Sequence, residues 1–231
     1  MLERMIHRLP FIRSEYDGLI VANGQTVQRA LFRALRNRSS LVIALDGGLE
    51  QLRRWNVVPD HVIGDFDSVS VSALDWARKH NARIHRRPSQ EEPDVAKGLD
   101  LCRRLGCSTA AVIGFAGSRV DHMLATLHFA LKARKLSIEL FTDEAVLFPL
   151  KGGVSCEFVV PAGHLVSWFG CPVAEHCTLA GVVWPFRNRT LRADGFHSLS
   201  NVPTAPTVQA IQRRGRSVFT ISLAPIVRKG E

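Results

Sequence analysis

The chain has 231 residues, of which 46% are hydrophobic, 22% charged and 7% aromatic, with 17 glycines and 11 prolines. This excludes collagen-like, mucin-like and wholly disordered chains and leaves enough core-forming residues for one large domain or two modest ones. Thirty Lys and Arg against 21 Asp and Glu give a formal charge of +9, which suits either a nucleic-acid surface or an enzyme with an anionic nucleotide substrate.

In chain order, Met1 to Pro10 places Glu3, Arg4, His7 and Arg8 where a signal peptide would need an unbroken apolar run. The longest apolar stretches, such as Ala110 to Ala116, fall far short of the roughly 20 residues that span a bilayer. Leu19 to Ala22 reads as a buried strand ending at Asn23-Gly24, and Thr26 to Arg38 as an amphipathic helix with Val27, Ala30, Leu31, Ala34 and Leu35 on one face. Leu41 to Leu45 is a second buried strand, broken by Asp46-Gly47-Gly48 and followed by a short helix through Leu52. Val62-Ile63 leads into Gly64-Asp65-Phe66-Asp67-Ser68, whose serine is expected to cap a helix from Val71 to His80. Further helices are expected over Pro93 to Leu105 and Arg119 to Arg134, and strands over Thr109 to Gly114 and Ser137 to Thr142. Strands alternating with helices predict an α/β fold, a mostly parallel sheet with helices on both faces.

Beyond Pro149 no long helical period remains. Lys151-Gly152-Gly153 marks a turn, and short strands are expected at Cys156 to Val160, Leu165 to Phe169, Gly181 to Trp184 and Val218 to Leu223. The expected organisation is an α/β domain over residues 1–148 and a smaller all-β, sandwich-like domain over 153–231.

In an open α/β sheet, ligands bind beyond the carboxyl ends of the strands. Asp46, Asp65, Asp67 and Asp121 follow successive strands, and Asp94 begins a helix. Carboxylates converging there would repel one another unless a cation is present, and hard oxygen ligands suit Mg²⁺. Asp65 and Asp67, two apart, share one side of an extended loop. Gly47-Gly48 and Gly114-x-x-Gly117 allow close approach of backbone N–H groups to an anion, while Lys97 and Arg119 supply positive charge. There is no P-loop sequence and no dinucleotide fingerprint.

The ordered segments Ala44-Leu45-Asp46-Gly47-Gly48, Pro59 to Ser68, Pro93-Asp94-Val95-Ala96-Lys97 and Gly114 to His122 resemble the thiamine pyrophosphokinase family, with Ser198-Leu199-Ser200-Asn201 resembling its downstream Ser-Asn element. The resemblance implies transfer of a diphosphate group from ATP to the hydroxyl of thiamine, releasing AMP. It implies Mg²⁺ held by Asp65, Asp67 and Asp94, with Asp46, Asp67, Lys97, Arg119 and Asp121 as active-site groups. Gly47, Gly48, Gly117 and Arg119 then lie on the nucleotide, and Ser200, Asn201 and Phe219 contact thiamine. It further implies a homodimer, with the thiamine site completed across its interface. Pro93 stands where the family usually has Thr, Leu49 where it has Ala, and Met123 and Thr126 where Thr and Asn are common.

Alternatives of other kinds are a diphosphokinase acting on another alcohol, such as a pterin, and a basic nucleic-acid-binding module. The latter accounts for the charge but not for the ordered carboxylates, and no specific nucleic-acid partner is expected. Cys171, His176 and Cys177 have poor spacing for zinc. Five cysteines, an odd count, predict a reducing compartment and hence a cytoplasmic protein without a membrane partner.

Overall fold

The computed structural model describes residues 10–88, 92–117 and 119–225. They divide into two units, residues 14–142 and residues 143–225 with 10–13. Of the sequence features considered above, the first nine residues and Ser118 lie outside the described residues.

The first unit has six parallel strands: β1 (Tyr16–Val21), β2 (Ser39–Leu45), β3 (His61–Gly64), β4 (Arg83–Arg86), β5 (Thr109–Ile113) and β6 (Ser137–Phe141). Parallel neighbours need crossover connections, and these are α1 (Arg29–Arg36), α2 (Gly48–Arg54), α3 (Val71–Lys79), α4 (Asp94–Arg104) and α5 (Val120–Lys132). The strand order is 4-3-2-1-5-6. The chain therefore winds outward from β1 to β4, then returns to lay β5 on the other side of β1. That reversal opens a crevice at the carboxyl ends of β1 and β5. Central strands are apolar and buried on both faces, as expected for a covered parallel sheet.

β4, with the sequence Arg-Ile-His-Arg, is a strand that the hydrophobic pattern did not predict. It pairs on one side only, with β3, and its charged residues suit an edge where further pairing must be discouraged. Two helix starts differ from expectation. α1 begins at Arg29 rather than Thr26. α3 is capped by Ser70, whose hydroxyl accepts from the Ala73 N–H at 3.2 Å, whereas Ser68 is engaged elsewhere. Asp17 ties β1 to β5: one carboxylate oxygen accepts from the N–H and hydroxyl groups of both Ser108 and Thr109 at 2.7–3.0 Å. Those donors hold its pKa down to about 2.

The second unit is antiparallel. Its strands are β7 (Ala145–Lys151), β8 (Val154–Val159), β9 (Val166–Ala180), β10 (Phe186–Arg192), β11 (Ser198–Asn201), β12 (Thr207–Gln212) and β13 (Arg214–Ser222). The 15-residue β9 organises the rest, pairing with β13 and β12 and also with β10 and β11. The division between units falls between Thr142 and Asp143, ahead of the expected Phe148 to Gly153, because Ala145 to Lys151 is a strand paired with β13 throughout. Gly181 to Trp184 forms only an isolated bridge, Val182 to Pro203, rather than a strand.

Phe219 is fully buried in this unit. Its ring stacks on Phe158 at 4.8 Å and meets Trp168 edge-on at 5.9 Å. The expectation that it contacts a substrate is therefore corrected. Alternation along β13 points it into an aromatic core that also contains Phe148.

Two stability outcomes follow from this packing. Phe219→Ala is expected to cost about 3–5 kcal/mol, read as a fall in denaturation midpoint. Asp17 has a folded pKa below its unfolded value, so its stabilisation is present above about pH 4 and is lost as pH falls through about 2. Asp17→Asn should accordingly lower the melting temperature at pH 7, and the gap from the parent protein should close on acidification, as a pH series of melting curves will measure.

Candidate active site

A cavity of about 400 Å³ opens at the carboxyl edge of the parallel sheet. It is lined by Ala22-Asn23-Gly24 after β1, Leu45-Asp46 after β2, Asp65, Asp67 and Ser68 after β3, and Gly114-Phe115-Ala116 after β5. Pro93-Asp94-Val95 at the start of α4, together with Arg119, His122, Ala125 and Thr126 at the start of α5, complete the wall. The two loops flanking the switch point are held by main-chain bonds, from Ala22 N–H to Ile113 O at 2.9 Å and from Gln25 N–H to Ala116 O at 2.7 Å. Glycine is required at Gly24, where a Cβ would fall 2.3 Å from the Gly114 carbonyl oxygen.

Asp46 organises the acidic end. It is buried, with a backbone φ of 42°, a left-handed conformation that costs energy for a non-glycine residue. One carboxylate oxygen accepts from the Phe66 N–H at 3.1 Å and the other from the Ser68 hydroxyl, which also faces the Asn23 amide at 3.4 Å. The loop after β3 is thus pinned to the end of β2. Within it, Phe66 also has positive φ, and the Asp67 N–H donates back to Asp65 at 3.3 Å.

Asp46, Asp65 and Asp67 each bring a carboxylate oxygen within 4.8 Å of the others, a set of hard donors able to hold one divalent cation. Burial, followed by the nearby charges of Asp94, Asp65 and Asp67, raises the Asp46 pKa, and the Ser68 hydrogen bond offsets part of that rise. Asp94 lines the same cavity but is not in this trio; Lys97, only 2% exposed, donates to its carboxylate at 3.0 Å. Asp46 is thus the carboxylate that clusters with Asp65 and Asp67, while Asp94 is ion-paired with Lys97 beside them.

Arg119 lines the cavity and grips Asp121 with two hydrogen bonds of 2.6–2.9 Å. That grip holds the Asp121 carboxyl well below the usual range. Asp121 and Lys97 are not among the lining residues. Gly47, Gly48 and Gly117, expected to cradle an anion, are also set back from the cavity. A Cβ at Gly47 would strike the Asn23 side chain, one at Gly48 the Val21 carbonyl, and one at Gly117 the main chain of Gln25. Close packing between loops is what requires glycine there.

A family model described as thiamin pyrophosphokinase, catalytic domain, matches residues 32–142. The α/β unit is thus similar to the thiamin pyrophosphokinase catalytic domain over most of its length. Thiamine pyrophosphokinase 1 of rice (Oryza sativa subsp. japonica) is 25% identical over 183 residues, covering 74% of this chain and 68% of its own length. Among solved structures, thiamine pyrophosphokinase from Bacillus subtilis superposes with a TM-score of 0.77 at 18% identity, over 89% of this chain and 98% of that one. Thiamin pyrophosphokinase from Candida albicans gives 0.77 at 17% identity, over 91% and 90%. At these identities the structural likeness establishes the fold.

Asn23, Ser68, His122 and Thr126 complete the cavity wall of the α/β unit and were not singled out as site residues from the sequence. The signal for Asn23-Gly24 was its place directly after β1 at the point of reversal. Of the residues expected in the acceptor pocket, Ser200 is exposed with a φ of 51°. Asn201 is 1% exposed, and its amide is fully used. Its Nδ2 donates to the Trp184 carbonyl at 2.9 Å and to the Ser198 hydroxyl at 3.2 Å, while its Oδ1 accepts from the N–H groups of Trp184 and Val202. The expectation that Asn201 contacts thiamine is corrected: it fastens the Trp184 loop to β11.

Asn201→Ala strands several polar groups and should cost roughly 1–3 kcal/mol, seen as earlier chemical denaturation. In chelator, Asp67→Asn removes one charge of the crowded trio and should raise the melting temperature by about 2–4 °C, since about 1 kcal/mol of repulsion is relieved.

Proposed function

We propose that the protein transfers the diphosphate group of ATP to the hydroxyl of thiamine, giving thiamine diphosphate and AMP, with Mg²⁺ as the cofactor. The observation that carries this reading is the convergence of Asp46, Asp65 and Asp67 in a cavity at the switch point of a thiamin pyrophosphokinase unit. Neither the pterin-type acceptor nor the nucleic-acid module gains any support from the site.

Mg²⁺ bound there supplies charge neutralisation on the phosphates, a large part of what phosphoryl-type transfer requires. Asp65 and Asp67 would hold it, with Asp46 beside them keeping the Asp65–Ser68 loop in place. Lys97 holds the Asp94 carboxylate at the helix start through their 3.0 Å ion pair. Arg119 provides a guanidinium for the phosphates from the cavity wall. Its bidentate hold on Asp121 leaves that carboxylate a weak base for the alcohol proton. Ala22, Phe115 and Ala116 line the cavity and give it an apolar wall for the nucleotide.

Ser200 is assigned to the acceptor side, and the exposed apolar group of Val183, Trp184 and Leu199 around the Asn201 clasp supports a homodimer. Among the described residues, no helix is long and apolar enough to cross a membrane. The odd cysteine count favours a reducing, cytoplasmic setting.

Incubation with ATP, Mg²⁺ and thiamine should yield AMP and thiamine diphosphate in equal amounts. Asp65→Asn should reduce turnover by at least about 100-fold, a loss of roughly 2.7 kcal/mol or more in transition-state stabilisation, with an unchanged fold by circular dichroism. ADP as product, or full activity in excess chelator, would overturn the reading. Trp184→Glu should convert a dimer to a monomer on gel filtration.

A further inference from the structure

A second cavity, of about 380 Å³, lies on the outer face of the α/β unit between α4 and α5. None of its lining residues belongs to the candidate active site. Its floor is apolar: Ala96 and Leu99 from α4, Phe129 and Ala133 from α5, and Leu136 beyond it. Its rim is cationic, with Arg87, Arg103, Lys132 and Arg134 against Glu92 and Asp100.

The two carboxylates do not cancel that charge. Asp100 is shared among three guanidiniums, Arg103 at 3.0 Å, Arg104 at 2.8 Å and Arg87 at 3.5 Å. A single carboxylate facing three arginines leaves most of their donors unused, since each guanidinium carries five N–H groups. The Lys132 ammonium lies 5.7 Å over the Phe129 ring, so a positive charge sits beside the flat face at the cavity floor. Apolar floor and surplus donors at the rim together match a ligand with a flat apolar body and a multiply charged anionic head.

We propose that this cavity is an effector site for a small organic phosphate carrying a planar ring. The ring lies against Leu99 and Phe129, and the phosphate takes N–H groups from Arg87, Arg103 and Arg134. Both walls are continuous with the active site. α4 presents Asp94 and Val95 to the first cavity and Ala96, Leu99, Asp100 and Arg103 to the second, and α5 presents His122, Ala125 and Thr126 to the first and Phe129 and Lys132 to the second. A ligand wedged between these helices thus acts on the elements that carry Asp94 and Thr126, and it couples to catalysis only as far as its affinity differs between their arrangements. Binding is independent of the proposed reaction; the effect on turnover rests on it.

The test is a calorimetric titration of 1-naphthyl phosphate into the full chain, with 1-naphthol and inorganic phosphate as half-ligands. The expected result is 1:1 binding of naphthyl phosphate, at least about tenfold tighter than either half-ligand. Arg134→Glu combined with Lys132→Glu, both exposed and outside the catalytic machinery, should weaken it by about tenfold or more. Asp65→Asn should leave it unchanged. Loss of binding in Asp65→Asn, equal binding in the charge-reversed variant, or no binding to the parent would each overturn the proposal. A turnover rate insensitive to saturating naphthyl phosphate, with binding intact, would overturn the effector role. A protein that binds the probe as expected yet makes no thiamine diphosphate would sink the proposed function and leave the site standing.

Discussion

Mutual repulsion among carboxylates is the constraint around which the α/β unit is arranged. Asp46, Asp65 and Asp67 crowd within 4.8 Å, and Asp94 adds its charge nearby. In a protein with a formal charge of +9 many cations were available for this edge, yet Lys97 is committed to Asp94 and Arg119 to Asp121. A divalent cation held there would relieve that crowding.

Backbone geometry is what holds these groups together against that repulsion. Asp46 accepts a left-handed conformation and burial, and both of its oxygens are occupied by the loop that presents Asp65 and Asp67. Elsewhere, Gly98 lets α4 approach β2 so closely that a Cβ would meet the Leu45 side chain at 2.3 Å. That approach brings the start of α4, with Asp94, to the edge of the sheet. Gly47, Gly48 and Gly117 likewise sit where neighbouring segments pack closely.

The β unit shows a different economy. Polar residues in its interior are fully partnered: the Trp168 indole donates to Ser217 at 2.8 Å, Ser217 donates to Gln212, and Asn201 spends its entire amide on the main chain. Buried polar groups must be satisfied internally, so a motif asparagine in such a place has no capacity left for a ligand. The exposed surface that Asn201 shapes, with Trp184 at 56% exposure, is where recognition remains open.

Periodicity alone determined the alternating strands and helices of residues 19–142, because apolar runs and 3.6-residue spacing survive in any fold that buries them. The spacing of Asp46, Asp65 and Asp67 after successive strands likewise exposed the acidic edge, since parallel strands point their carboxyl ends one way. The charged edge strand Arg83–Arg86 escaped because it has no apolar pattern, and the long β9 escaped because its partners, not its composition, define its length. Tertiary structure alone decided that Asp46 clusters with Asp65 and Asp67, that Phe219 faces a core and that Asn201 is consumed by the backbone. Each of those outcomes depends on which atoms from distant segments arrive beside the side chain, and hydrogen-bond saturation and burial are properties of that encounter rather than of the residue.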